Sequence, residues 1–194
     1  DGMTALMYAV KSRSQRIVGD LLKHGANITV QDGKGKSAML YAIEERDYYE
    51  DSEQTQTIID ILIDNGGDVN TKNRWNQTLL MIEAREGNPA LVSDLLKKGA
   101  DVNELDDDGW TALMYAGGNK DVVDALLKNG ANINAQDNDG MTVLMHAGQG
   151  GSKDVVDALL KNGVNVTVQD NNGRTALMYA GQGGSKDVAD ALLK

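Results

Sequence analysis

Two kinds of apolar run alternate along these 194 residues, and the pair occurs six times. In residues 137–169 the first run is Val143-Leu144-Met145-His146-Ala147, opened by Thr142 and stopped at Gly150-Gly151. The second follows Ser152 and places Val155, Val156, Leu159 and Leu160 on one stripe of a 3.6-residue helix, before Gly163 ends it. The pattern predicts two short helices per unit. A glycine or asparagine stands two residues before the hydroxyl residue that opens each first helix: Gly2-Met3-Thr4, Gly35-Lys36-Ser37, Asn76-Gln77-Thr78, Gly109-Trp110-Thr111, Gly140-Met141-Thr142 and Gly173-Arg174-Thr175. Subtracting successive glycine or asparagine numbers gives intervals of 33, 41, 33, 31 and 33 residues. A period near 33 describes a row of small units, each too small to bury its own apolar face alone.

Cap residues give the same phase. The position expected at the N-cap of the second helix is filled by Ser14, Thr55, Asn88, Asn119, Ser152 and Ser185, all with an oxygen that can accept from the first-turn N–H groups. Pro89 follows Asn88 at the first helical position, where its missing donor costs nothing. At the far end Gly25, Gly66, Gly99, Gly130 and Gly163 suit the left-handed residue after a helix, and Lys23, Lys97, Lys98, Lys128 and Lys161 suit its negative pole. Each closing glycine leads into a short alternating stretch such as Ala131-Asn132-Ile133-Asn134-Ala135 and a polar turn, read as an extended hairpin connection.

Two units depart in length, both between their helices. Ser37 to Thr55 spans 18 residues where other units use 10, so eight extra residues fall within Glu44–Glu53. Thr111 to Asn119 spans only 8. The acidic insertion, with Tyr48 and Tyr49, reads as a partner-specific knob, a phosphorylated loop or a solvated extension of the two helices, the last being favoured.

Composition narrows the chemistry. Cysteine is absent, which excludes disulfides, thiol catalysis and cysteine-ligated zinc and leaves the compartment open, with the cytoplasm weakly favoured. A formal charge of −10 disfavours nucleic acid and anionic membranes as main partners and suits a protein with a basic patch. No stretch approaches a membrane span, and no cationic-then-apolar leader opens the chain. Residue 1 falls just before a turn glycine and residue 194 inside an apolar helix, so both ends are expected to be cuts through a longer array.

The repeated Asp-x-x-Gly-x-Thr-Ala-Leu-Met-x-Ala, the second helix ending Leu-Leu-Lys-x-Gly and the following Ala-Asn/Asp-Val/Ile-Asn resemble the ankyrin repeat. The resemblance implies an all-α, ankyrin-type α-solenoid of stacked helix-turn-helix units with short β-hairpin-like connections, and a concave surface that binds proteins. It spans 1–194 as a single array of six units: 1–31, 32–72 with the insertion, 73–105, 106–136 with a two-residue deletion, 137–169 and a truncated 170–194. The family's Thr-Pro-Leu-His is replaced by Thr-Ala-Leu-Met or a variant, which predicts loosely held first helices. Gly117, Gly148 and Gly181 stand where the family has Ala, each costing about 0.5–1 kcal/mol in a helix. Glu83 occupies the place of Ala9, Ala42, Ala116, Ala147 and Ala180 and is expected at a partly exposed helix edge.

Equivalent positions of neighbouring units lie about 10 Å apart, so turn residues should form rows. The expected partner-binding residues are Lys36, Arg74, Trp75, Asp107, Asp108, Trp110, Asp139, Met141 and Arg174, with Arg74, Trp75, Trp110 and Met141 as the contact patch. The alternative is that each indole covers its neighbouring hairpin. Tyr8, Tyr41, Ile82, Tyr115, His146 and Tyr179 recur at one first-helix position, read as a ladder of core or groove-lining rings, and Met7, Met81, Met114, Met145 and Met178 as core filler.

Catalytic chemistry finds no foothold. His24 and His146, the two histidines, fall four units apart, and neither a nucleophile elbow nor a His-Glu-x-x-His occurs. Gly148-Gln149-Gly150-Gly151 lacks the Lys-Ser/Thr of a phosphate loop, and the Asp-rich turns at 106–109 and 137–140 lack the glutamate of a calcium loop. The expectation is a monomeric, cofactor-free protein-binding module. Its alternatives are a targeting or scaffolding fragment of a larger protein whose active domain lies elsewhere, and a free-standing repeat protein that shields an enzyme.

Overall fold

The computed structural model describes residues 2–48 and 52–194. Twelve α-helices form among them, in six consecutive pairs, gathered in two compact units, Asp1–Arg74 and Trp75–Lys194. In the first unit α1 (Ala5–Lys11) pairs with α2 (Gln15–Lys23), and α3 (Ala38–Tyr48) with α4 (Ser52–Asp64). First helix packs on first helix and second on second, α1 against α3 and α2 against α4. This buries Leu6, Met7, Val10, Val18, Ala42, Ile43, Ile58, Ile59 and Leu62.

The second unit repeats the scheme with α5 (Leu79–Glu86), α6 (Pro89–Lys97), α7 (Ala112–Tyr115), α8 (Lys120–Lys128), α9 (Val143–Gln149), α10 (Lys153–Lys161), α11 (Ala176–Gln182) and α12 (Lys186–Leu192). Helices α5, α7, α9 and α11 stack in sequence, as do α6, α8, α10 and α12. Leu80, Met81, Leu113, Met114, Leu144 and Met145 form one buried row, and Val92, Leu95, Val122, Leu126, Val155 and Leu159 the other. Each row matches an apolar stripe of the sequence.

The first helices are held without the family's histidine. Thr4, Thr78, Thr111 and Thr142 are N-caps whose hydroxyls accept from the N–H of Met7, Met81, Met114 and Met145. At α1 and α5 the methionine sulfur also accepts from the threonine N–H, at 3.3 and 3.4 Å. At these two helices methionine thereby closes a weak version of the reciprocal cap.

The second-helix caps differ from expectation. Asn88 and Asn119 cap α6 and α8 through their side chains, whereas Ser14, Ser152 and Ser185 hold the N-cap position without a side-chain bond. The longer asparagine side chain reaches the first-turn N–H groups. Thr55 is not a cap at all: α4 begins at Ser52, which leaves Thr55 inside the helix and buried. The eight-residue insertion lengthens helices, giving α3 and α4 11 and 13 residues against 7 and 9 in α1 and α2. Tyr49, at the centre of the expected knob, lies outside the described residues. The two-residue deletion shortens α7 to four residues and leaves Gly117 in the turn after it, so no helix penalty applies there.

Hairpin connections contain no strands among the described residues; isolated bridges such as Gln31–Ser37 and Gln136–Thr142 stand in their place. Four of the turns are instead built around one aspartate each, Asp32, Asp106, Asp137 and Asp170. Asn76, the residue standing in for the repeated glycine, adopts φ 58°, a left-handed conformation that asparagine tolerates better than most residues.

The candidate functional site at the turn tips

In four of the turns the opening aspartate links tip to helix. Asp106 Oδ1 accepts from the N–H of Asp108 at 3.0 Å and of Trp110 at 2.8 Å, and its Oδ2 accepts from the Tyr115 hydroxyl at 2.6 Å. Asp32 makes the same set with Lys34, Lys36 and Tyr41, and Asp170 with Asn172, Arg174 and Tyr179. At Asp137 the ring partner is His146 Nε2, 2.9 Å away. All four aspartates are buried. A buried carboxylate with this many donors is a satisfied structural anion.

Ionisation follows from the geometry. The Tyr41 hydroxyl, with the N–H groups of Lys36 and Lys34, holds the Asp32 carboxyl below its ordinary value. Burial pushes the Asp170 carboxyl up, but the Tyr179 hydroxyl, the N–H groups of Arg174 and Asn172 and the Arg174 charge outweigh it and bring it to about 2. Conversely, the bond to Asp32 raises the Tyr41 hydroxyl to about 12, and burial together with Asp106 does the same for Tyr115.

Sequence reasoning missed this pairing, although its signal was present. Tyr or His stands nine residues after Asp at 32/41, 106/115, 137/146 and 170/179. In the third repeat the ladder residue is Ile82, which has no donor, and the position nine earlier is the uncharged Asn73. Tyr41, Tyr115, His146 and Tyr179 are therefore turn anchors as well as packing rings. Tyr8 is 59% exposed.

In the second unit the tips are zipped together. The N–H of Asp107 donates to the Trp75 carbonyl, that of Asn138 to Asp108 and that of Asn171 to Asp139, at 3.0–3.2 Å. Side chains reinforce the seam: Asn76 Nδ2 donates to Asp107 Oδ1, Asn138 Nδ2 to the Asp107 carbonyl and Asn171 Nδ2 to the Asn138 carbonyl. Gln77 Nε2 reaches the Tyr115 hydroxyl at 2.7 Å.

Seven of the nine expected contact residues share this unit. Trp75 is 43% exposed. Asp107, Asp108, Asp139 and Arg174 are exposed, and Met141 is half-buried. Trp110 is half-buried too, its ring 4.4 Å from His146 and 5.1 Å from Tyr115 between centroids, so this indole covers its neighbours. Arg174 donates from Nε to Asp170 Oδ2 at 3.1 Å and lies over the Tyr179 ring. Lys36 and Arg74 belong to the other unit, where Lys36 is tied to Glu44 at 2.6 Å and lies over Tyr41.

Two first-helix expectations need correction. Glu83 is fully buried, 0% exposed, because α5 is covered by both α6 and α7. Met178 is 57% exposed, unlike Met7, Met81, Met114 and Met145; among the described residues α11 packs against one first helix, α9. Among the described residues no three His, Asp or Glu side chains gather as a metal site, and no helix is long and apolar enough to cross a membrane.

This stack of capped helix pairs with aspartate-anchored turns is the ankyrin architecture. The ankyrin-repeat profile matches residues 1–33, and the profile for three consecutive ankyrin repeats matches 49–137 and 117–194. The chain belongs to the ankyrin repeat family, an all-α repeat solenoid whose members are generally protein–protein interaction modules and typically non-catalytic. It is similar to ankyrin repeat protein L91 of Acanthamoeba polyphaga mimivirus, with 30% identity over 52% of this chain and 17% of that protein. It is also similar to the Arabidopsis thaliana E3 ubiquitin-protein ligase KEG, 28% identical over 60% of this chain and 7% of the ligase. Human neurogenic locus notch homolog protein 1 shares 32% over 59% of this chain and 4% of its own. The matched stretches are thus small parts of much longer relatives.

Proposed function

We propose that the chain binds a protein partner, without catalysis, through the tip row of its second unit and the adjoining face of the first helices. The observation that carries this reading is the zipped seam, which fixes an exposed Trp75 at a set distance from the exposed carboxylates of Asp107, Asp108 and Asp139. A rigid aromatic anchor ringed by charge is the composition of a binding hot spot, and pre-organisation lowers the entropy lost on association. The tip carboxylates favour a partner with a basic patch. The net charge of −10 opposes self-association and suits a monomer.

The test is affinity capture with the purified chain, read by mass spectrometry at low and high salt and repeated with Trp75→Ala and with Asp107→Lys/Asp108→Lys/Asp139→Lys. A genuine partner is lost in both variants and weakened by salt, while the far-ultraviolet circular dichroism stays that of the parent. Retention of every captured protein by both folded variants rejects the tip row. A second reading, a recruiting or scaffolding segment of a larger protein, draws support from relatives in which the matched stretch is a small part. The length of the gene distinguishes it.

A further inference from the structure

The sequence contains four Asn-Gly steps, Asn65-Gly66, Asn129-Gly130, Asn162-Gly163 and Asn172-Gly173. Asn-Gly is the dipeptide in which a backbone nitrogen most easily reaches the preceding side-chain amide, because glycine places no Cβ in the way. All four asparagines are exposed. In all four the glycine N–H is also bonded, to Ile63, Leu127, Leu160 and Asp170 carbonyls at 2.9–3.1 Å. The sites differ in the side chain. Asn65, Asn129 and Asn162 sit at helix C-termini and donate from Nδ2 to the carbonyl four residues back, Ile61, Ala125 and Ala158, each at 2.8 Å. Asn172 is at a turn tip, and its side chain has no hydrogen-bond partner among the described residues; its one bond is from the backbone N–H to Asp170 Oδ1.

We propose that Asn172 is a site of spontaneous deamidation in the folded protein, the other three being protected by their tethers. The Gly173 nitrogen attacks Asn172 Cγ, forming a C–N bond. The Cγ–Nδ2 bond breaks, and Nδ2 leaves as ammonia carrying the proton from Gly173. Water then opens the cyclic imide at either carbonyl, giving aspartate or isoaspartate, with no change of oxidation state. The product adds one carboxylate, taking the formal charge from −10 to −11.

The turn is already suited to the aspartate product. Asp108 and Asp139 occupy the equivalent tip position in the two preceding repeats, each followed by glycine and each donating its N–H to the opening aspartate at 3.0 Å. Conversion of Asn172 therefore extends an acidic row by one tip. Isoaspartate, with one more backbone atom, disrupts the Gly173 to Asp170 bond instead.

The full-length chain is incubated at mildly alkaline pH, then digested with trypsin, and the amide-to-acid mass change is assigned by fragmentation. Residues 162–174 form one tryptic peptide, so Asn162 and Asn172 are compared within the same molecule. In the folded protein, conversion at Asn172 is expected about fivefold faster than at Asn65, Asn129 or Asn162, the factor carried by a net hydrogen bond of roughly 1 kcal/mol. In urea the four rates converge. Asn172→Asp provides the reference for the aspartate product and is expected to melt as the parent does. Equal rates at Asn162 and Asn172 in the folded chain overturn the proposal, as does an Asn172 that is inert when folded but converts in urea.

Discussion

Replacing Tyr115 by Phe removes one oxygen and strips two contacts, the hydroxyl donor to Asp106 Oδ2 and the acceptor of Gln77 Nε2. Asp106 is buried, so the lost donor counts for more than a surface bond would. The expected cost is about 1–2 kcal/mol in a urea melt, with the far-ultraviolet spectrum unchanged. The same pairing predicts a pH window. Asp32 and Asp170 have folded values below the ordinary 3.8, so their stabilisation is present above that value and lost as pH falls through the folded one, about 2 for Asp170. Tyr41 and Tyr115 are raised from 10.0 to about 12, so theirs is present below 10 and lost as pH climbs towards 12. Thermal melting should therefore be flat from about pH 5 to about pH 9 and fall on either side. The Tyr41→Phe/Tyr115→Phe variant should keep the acid limb at Asp170 and lose most of the alkaline one. Periodicity alone placed these tyrosines on one helix face, but it ranks residues by hydrophobicity and so described rings, not hydroxyls. The nine-residue Asp–Tyr spacing, broken jointly at Asn73 and Ile82, carried the missing information. At Asn76 the period alone was legible, and the left-handed backbone that explains an asparagine in place of glycine emerged only from the fold.

Among the helices, one repeated position takes glycine for opposite reasons. Gly148 in α9 meets α11 so closely that an added Cβ would lie 3.0 Å from the Ala176 carbonyl oxygen, a backbone atom that cannot swing away. Gly181, one repeat later in α11, has nothing within 4 Å of the same Cβ among the described residues. Gly181→Ala should therefore raise stability by about 0.5–1 kcal/mol, the ordinary helix gain. Gly148→Ala should gain nothing or lose, because the helix gain is spent on prising α9 from α11. Paired thermal melts of the two single variants decide it; equal gains would show that the α9–α11 approach is not a constraint. A sequence shows that a glycine interrupts a helical pattern, not which neighbour approaches it, so a uniform penalty at both positions was the only reading open to it. The helix count and the length changes were legible from the phase of caps and apolar runs. The insertion was legible in part: an extension of the two helices was favoured over a knob, and α3 and α4 are indeed longer, but sequence did not show that Thr55 would fall inside α4.

Over the whole molecule, stability should follow the order of the stack, because each helix pair leans mainly on its neighbours along the row. Within the second unit α9 is covered by α7 and α11, whereas among the described residues α11 has α9 alone beside it as a first-helix neighbour. Exposure records the difference: Leu144 and Met145 are 1% exposed, while their counterparts Leu177 and Met178 are 38% and 57%. Local opening should then cost least in the last pair, α11 and α12, where there is least apolar burial to forfeit. Hydrogen exchange read by mass spectrometry is expected to show fast exchange over residues 176–192, slower exchange over α9 and α10, and the slowest over α5–α8. The tip seam refines this expectation. Asn171 N–H is bonded to the Asp139 carbonyl, so the last turn should be protected more like the fifth repeat than like the helix that follows it. A profile with α12 as protected as α8 would mean that the second unit opens only as a whole. One in which protection at Asn171 falls together with that of α11 would mean that the seam adds nothing to the packing of the helices. The first outcome bears on the linear stack, the second on the pre-organised tip row on which partner binding depends.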